Sequence, residues 1–204
     1  MPETVRVYFD FLCPYAWRGA EVASIVSRSR DVRFEWHHFS LVQARRQGSG
    51  WQLWNEPVDP EDEYGSDGLL PFLASCAVRR QGEEKHGEFL LQLLRARHRD
   101  HRPYSQQVIS DVAEGAGVHM PCFEDDLADP ECRTRLAQDH YRAVGRDIFG
   151  TPTFEFPGDN LSYLRIRELP ASEAEALALF DEYRRLLEAY PYLETVRRPR
   201  PKGN

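Results

Sequence analysis

The stretch Cys13-Pro14-Tyr15-Ala16-Trp17-Arg18 separates two segments of different periodicity, and that junction decides the fold. Before it, Val5, Val7, Phe9 and Phe11 alternate with Thr4, Arg6, Tyr8 and Asp10, a period of two that predicts a strand. After it, Ala20, Val22, Ala23 and Val26 recur at helical spacing, and Pro14 suits the first helical position. Cys13 is therefore predicted to cap a helix that leaves the end of a strand. Unpaired N–H groups and the positive end of the helix dipole favour thiolate there, which places the expected thiol pKa below about 8.5, in the range of roughly 3.5 to 7.5. The plain alternative for any isolated cysteine is a small buried hydrophobe.

Outward from the junction, Val32, Phe34 and Trp36 alternate with Arg33, Glu35 and His37, which completes a strand-helix-strand unit with parallel pairing. Residues 45–68 turn to Gln, Gly, Pro, Asp and Glu with Trp51, Trp54 and Tyr64 interleaved and no sustained period. This reads as a long loop whose tryptophans make a folded cover, either capping the core edge or lining a substrate pocket. From Leu69 to about Val144 the period is helical, with Ser105 and Asp129-Pro130 as helix starts. Thr153 to Phe156 and Leu161 to Ile166 read as a hairpin, and Ser172 with Glu175 as a capping box before a last helix.

The order strand, C-P-x-x, helix resembles the redox motif of the thioredoxin superfamily, with alanine at position 16 where a dithiol oxidoreductase has its second cysteine. A second stretch, Phe149-Gly150-Thr151-Pro152-Thr153-Phe154-Glu155-Phe156, resembles the cis-proline segment those proteins set opposite the reactive cysteine. By itself G-T-P-T also reads as a helix breaker before a strand. Together with D-F-x-C-P-Y at Asp10 to Tyr15, F-E-x-D-L-A-D-P at Phe123 to Pro130 and the tail from Tyr190-Pro191-Tyr192 to Arg197 and Arg198, these motifs make nearly the whole chain similar to the DsbA-like family. The likeness is greatest to the FrnE-like and 2-hydroxychromene-2-carboxylate isomerase-like branch, which includes kappa-class glutathione transferases.

The resemblance implies one α/β domain over residues 1–204, a thioredoxin-like fold with a helical insertion between its β-α-β and β-β-α halves. The core would span 1–44 and 148–190, the insertion 69–147 and a tail 191–204. It implies Cys13 as nucleophile and Pro14, Tyr15, Ala16, Thr151 and Pro152 as the residues that hold a substrate or thiol. With no thiol at position 16, a mixed disulfide on Cys13 would be resolved by a low-molecular-weight thiol such as glutathione, the substrate being a small-molecule thiol or a protein disulfide. Isomerases and kappa transferases of the branch carry serine at the position of Cys13, so a glutathione-dependent isomerase or transferase is the alternative. A non-enzymatic redox-sensing or binding module is a third reading. No tightly bound cofactor and no metal are expected.

The 33 acidic against 26 basic residues, a net charge of −7, argue against nonspecific nucleic-acid binding. Glu3, Arg6 and Asp10 interrupt any signal-peptide-like run, no apolar stretch is long enough to span a bilayer, and a cytoplasmic location follows. There the four cysteines, Cys13, Cys76, Cys122 and Cys132, are expected to be reduced, with Cys76 in the core and Cys122 and Cys132 buried. His37 and His38 alternate across a strand and do not suit one metal. His98 and His101 around Asp100 read as a solvated helix end.

Overall fold

The structure, a computed structural model, describes residues 2–46, 48–59 and 67–198. Its elements run β1 (Glu3–Phe9), α1 (Pro14–Ser29), β2 (Val32–His38), α2 (Leu41–Arg45), a 3-10 turn (Leu53–Asn55), α3 (Leu69–Arg79), α4 (Glu83–His98), α5 (Gln106–Gly115), α6 (Met120–Ala128), α7 (Pro130–Val144), β3 (Thr153–Phe156), β4 (Asn160–Tyr163) and α8 (Glu173–Ala189). The strands form one sheet in the order β2-β1-β3-β4. Alternation in β1 and β2 becomes a parallel pair in the register Val7↔Trp36, while β1 pairs antiparallel with β3 as Tyr8↔Thr153. That second register sets Thr151-Pro152, just before β3, beside the segment that leaves β1 for Cys13.

The helix starts read from the sequence take their caps. Ser105 accepts from the Val108 N–H and Asp129 from the Glu131 N–H, with Pro130 opening α7. Ser172 accepts from the Glu175 N–H, but the Glu175 carboxylate reaches one residue further back than in a standard box, to the Ala171 N–H at 3.0 Å. In the stretch read as a loop, residues 60–66, Tyr64 among them, lie outside the described residues. The remainder is more ordered than its composition suggests, because Gln43 on α2 bonds the chain on both sides, its amide N–H donating to the Trp51 carbonyl and its oxygen accepting from the Leu53 N–H. Trp54 is buried against His140 and Tyr141 of α7, so it caps the core edge.

The alternation of β2 gives His38 a face but not its partners. His38 is fully buried, and its Nε2 meets the Ser75 hydroxyl at 2.9 Å, which in turn meets His86 Nε2 at 2.8 Å. A single hydroxyl hydrogen cannot serve both rings, so one imidazole accepts from Ser75 and the other donates to it. Asp139 on α7 lies beside this chain, 3.5 Å from His38 Nδ1 and 3.3 Å from the Arg79 guanidinium, which also donates to the Trp36 carbonyl.

α1 packs against the Thr151-Pro152 loop at Gly19, where a Cβ would stand 2.8 Å from Pro152 Cγ. Alanine here gains about 1 kcal/mol of helix propensity. Against this, overpacking a rigid ring costs about 1–3 kcal/mol. Gly19→Ala is therefore expected to lower the urea midpoint by an amount worth about 1 kcal/mol. A midpoint that rises instead shows that the ring yields.

Candidate active site

Cys13 caps α1 with extended backbone, φ −94° and ψ 113°, and Pro14 follows at the first helical position. The thiol does not accept from the helix. It turns away and donates to the Thr151 carbonyl at 3.3 Å, so the two motifs, 138 residues apart, meet at this sulfur. The Thr151-Pro152 bond is cis. Thr153 Oγ1 donates to the Gly150 carbonyl at 2.7 Å and the Leu164 N–H donates to the Pro152 carbonyl at 3.1 Å, which ties the loop to the hairpin. Tyr15 sits at the mouth under Arg165, whose guanidinium lies 4.0 Å from the ring centre. Ala16, fully buried, occupies the first turn.

The segment between β1 and Cys13 is held from three directions, none of them visible in the local pattern. The Asp10 carboxylate is buried and accepts from the Leu12 and Leu41 N–H groups, each at 2.7 Å, tying the strand end to α2. Burial pushes its pKa up to about 6, against the lowering effect of those two bonds and of Arg45. The Phe11 carbonyl accepts from His98 Nε2 and from the Tyr104 hydroxyl, both at 2.8 Å. The carbonyl can only accept, so the imidazole proton is on Nε2. Burial brings His98 down to about 4, so the ring is neutral near pH 7. His98 is thus a support of the Cys13 loop rather than part of a solvated helix end; only His101 and Asp100 are exposed as expected.

Cys13 opens on a groove of about 720 Å³ between the α1 start, α2, the end of α7 and the hairpin. Leu41, Phe39 and Ile148 give it apolar walls, and the exposed Arg45 and Arg165 stand at its edges. Phe149, 74% exposed, contacts Tyr163 edge-on at the rim. The Thr151 hydroxyl, buried beside the sulfur, has no hydrogen-bond partner among the described residues.

The other cysteines depart in part from expectation. Cys76 and Cys132 are buried, but Cys122 is exposed and lies 3.2 Å from His119 Nδ1, because α6 turns it outward while Phe123 takes the core position. All four are free thiols. Among the described residues no cluster of His, Cys, Asp or Glu could hold a metal ion, and no helix is long and apolar enough to cross a membrane.

Residues 4–67 match the model of the DSBA-like thioredoxin domain. No curated protein matches in sequence. Among solved structures, 2-hydroxychromene-2-carboxylate isomerase superposes with a TM-score of 0.63 at 17% identity, covering 94% of this chain and 100% of its own. The cytosolic disulfide reductase DsbM from Pseudomonas aeruginosa, with GSH, gives 0.58 at 16% identity, covering 93% and 100%. The thiol-disulfide exchange protein α-DsbA2 from Wolbachia pipientis gives 0.58 at 14% identity, covering 90% and 81%. At these identities the likeness is one of fold, and the fold is DsbA-like thioredoxin.

Proposed function

We propose that this chain, which carries a DsbA-like thioredoxin domain, is a thiol-disulfide oxidoreductase that works through Cys13 alone. The observation behind this reading is the Cys13 sulfur at the floor of a groove, against the Thr151 carbonyl, with Ala16 rather than a second thiol on the first helical turn. The Cys13 thiolate attacks one sulfur of a bound disulfide, the S–S bond breaks, and the other half leaves as a thiolate that takes up a proton. A low-molecular-weight thiol then attacks the mixed disulfide and returns Cys13 to thiolate. Pro14 and Tyr15 shape the approach, and Thr151 and Pro152 hold the incoming chain. Arg45 and Arg165 suit the carboxylates of a small peptide thiol such as glutathione. A reducing cytoplasm supplies such a thiol in excess.

The second reading is an isomerase or transferase in which a bound thiol does the chemistry and Cys13 only orients it. It is favoured by the same missing resolving thiol and by a groove large enough for a small thiol beside an organic substrate. Incubation with oxidised glutathione at pH 7, followed by intact-mass and peptide analysis, tests the first reading. One glutathione adduct per chain, on Cys13 and removed by added glutathione, is the expected result. Adducts confined to Cys122, the exposed thiol, would refute it.

A further inference from the structure

Asp10 lies three residues before Cys13, fully buried behind the groove, and its two carboxylate oxygens have separate tasks. Oδ1 accepts from the Leu12 N–H, two residues on, in a local turn. Oδ2 accepts from the Leu41 N–H, 31 residues away, at the first position of α2. Both bonds are 2.7 Å long, the length of charge-assisted contacts. Leu12 and Cys13 line one side of the groove, and Leu41, Ala44 and Arg45 of α2 line another. One carboxylate thus joins the two sides.

The two sides are not equally anchored. On the Cys13 side, His98 and Tyr104 hold the Phe11 carbonyl, and the Cys13 N–H donates to the Asp10 carbonyl at 3.1 Å. The α2 side is a helix of five residues. Apart from Asp10, its start is held by the Ser40 N–H, which donates to His140 Nδ1 at 3.2 Å, and its far side by the Gln43 amide. Without the Asp10 bond the Leu41 N–H loses its partner, and the first turn of α2 is the part free to pivot.

We propose that Asp10 is a positioning residue for the reaction assigned above to Cys13, on which this inference rests: its charged carboxylate draws the first turn of α2 in against the Cys13 loop and so limits the size of the disulfide that reaches the sulfur. A carboxylate accepts on both oxygens. An asparagine amide, or a protonated carboxyl, has one oxygen that only accepts and one group that donates. Such a side chain keeps the local turn and gives up the distant tie to Leu41. The groups around Asp10 leave the titration to the carboxylate itself. Arg45 on α2, the charge that acts on it, is a permanent cation. His98 and His140 are neutral above about 4, and burial and the Asp10 charge keep the Tyr104 hydroxyl protonated. The remaining titratable group is Cys13.

Labelling of Cys13 by iodoacetamide and by a bulky dye-maleimide, read by peptide mapping, tests this. Both reagents need the thiolate, so the ratio of their rates cancels the titration of Cys13 and reports access alone. Loss of one hydrogen bond to a charged group shifts such an equilibrium by about ten-fold or more. The bulky-to-small ratio should therefore rise about ten-fold in the wild type as pH falls through about 6, and be equally high but flat with pH in Asp10→Asn. In the wild type the Leu12 and Leu41 amide resonances should move with that same midpoint, a measurement that needs no substitution and decides the matter if Asp10→Asn does not fold. The proposal is overturned by a ratio that is the same in wild type and Asp10→Asn at neutral pH, by a wild-type ratio that is flat with pH, or by a Leu41 amide that does not titrate. Turnover enters none of these readings, so failure of the oxidoreductase reading and failure of this one are seen separately.

Discussion

Replacing Cys13 with serine will lower thiol-dependent turnover of a small disulfide by about a thousand-fold or more, while the chain stays folded. The size of the effect follows from the chemistry: thiolate is the nucleophile in exchange, and loss of a catalytic nucleophile in other enzymes costs up to about 10⁶ in rate. The fold is spared because serine fits the space of the buried sulfur, and its hydroxyl can donate to the same Thr151 carbonyl. A steady-state assay with glutathione as reductant, beside a thermal melt, separates the two effects. Full turnover in a folded Cys13→Ser chain would sink the oxidoreductase reading. If that chain instead isomerised or conjugated a substrate at the wild-type rate, with a small thiol required, the chemistry would belong to the bound thiol.

Replacing Asp139 with alanine is expected to cost about 3–5 kcal/mol, the range for removing one partner of a buried ion pair. Asp139 is 1% exposed, while Arg79, 3.3 Å away, is mostly covered and would remain charged without its partner. Burial alone would raise the Asp139 pKa, but His37, His38 and Arg79 outweigh it and hold the carboxyl well below its usual range. At neutral pH the charges opposite are those of Arg79 and of the exposed Arg135, 3.6 Å away, since burial keeps the His38 ring neutral. A carboxyl depressed on folding adds stability above its unfolded value near 4 and loses it as pH falls through the folded value. The gap between wild type and Asp139→Ala should therefore be full at pH 7 and shrink below about pH 4. Urea unfolding across that range measures it, and a gap under about 1 kcal/mol at pH 7 would contradict the argument.

Much of the framework could be read in the sequence because it is encoded locally. Strict alternation in Val5-Val7-Phe9 and in Phe34-Trp36 marked two strands, and Ser105, Asp129-Pro130 and Ser172 marked helix starts, since a cap is set by its own next few residues. Cys13 and Thr151-Pro152 could be joined only because two motifs of one family appeared in order. His98, Tyr104 and Gly19 had no such signal. Each acts on a partner in another element, and a solvated histidine and one that holds a carbonyl have the same local pattern. His38 shows the same limit: strand alternation gave its face, but its partner Ser75 lies on α3 and Asp139 on α7.

The Phe11 carbonyl, gripped by His98 and Tyr104, makes the insertion and the sheet unsuited to exchange as independent modules. A chimera that carried β1, α1 and the hairpin onto a foreign set of helices would deliver every residue of the two motifs, yet leave the peptide two positions before the sulfur without its donors. Under the activity proposed for Cys13, drift in the insertion is thereby answerable to the chemistry of that thiol. Substitutions at positions 98 and 104 would then be open to selection through the proposed reaction as well as through stability.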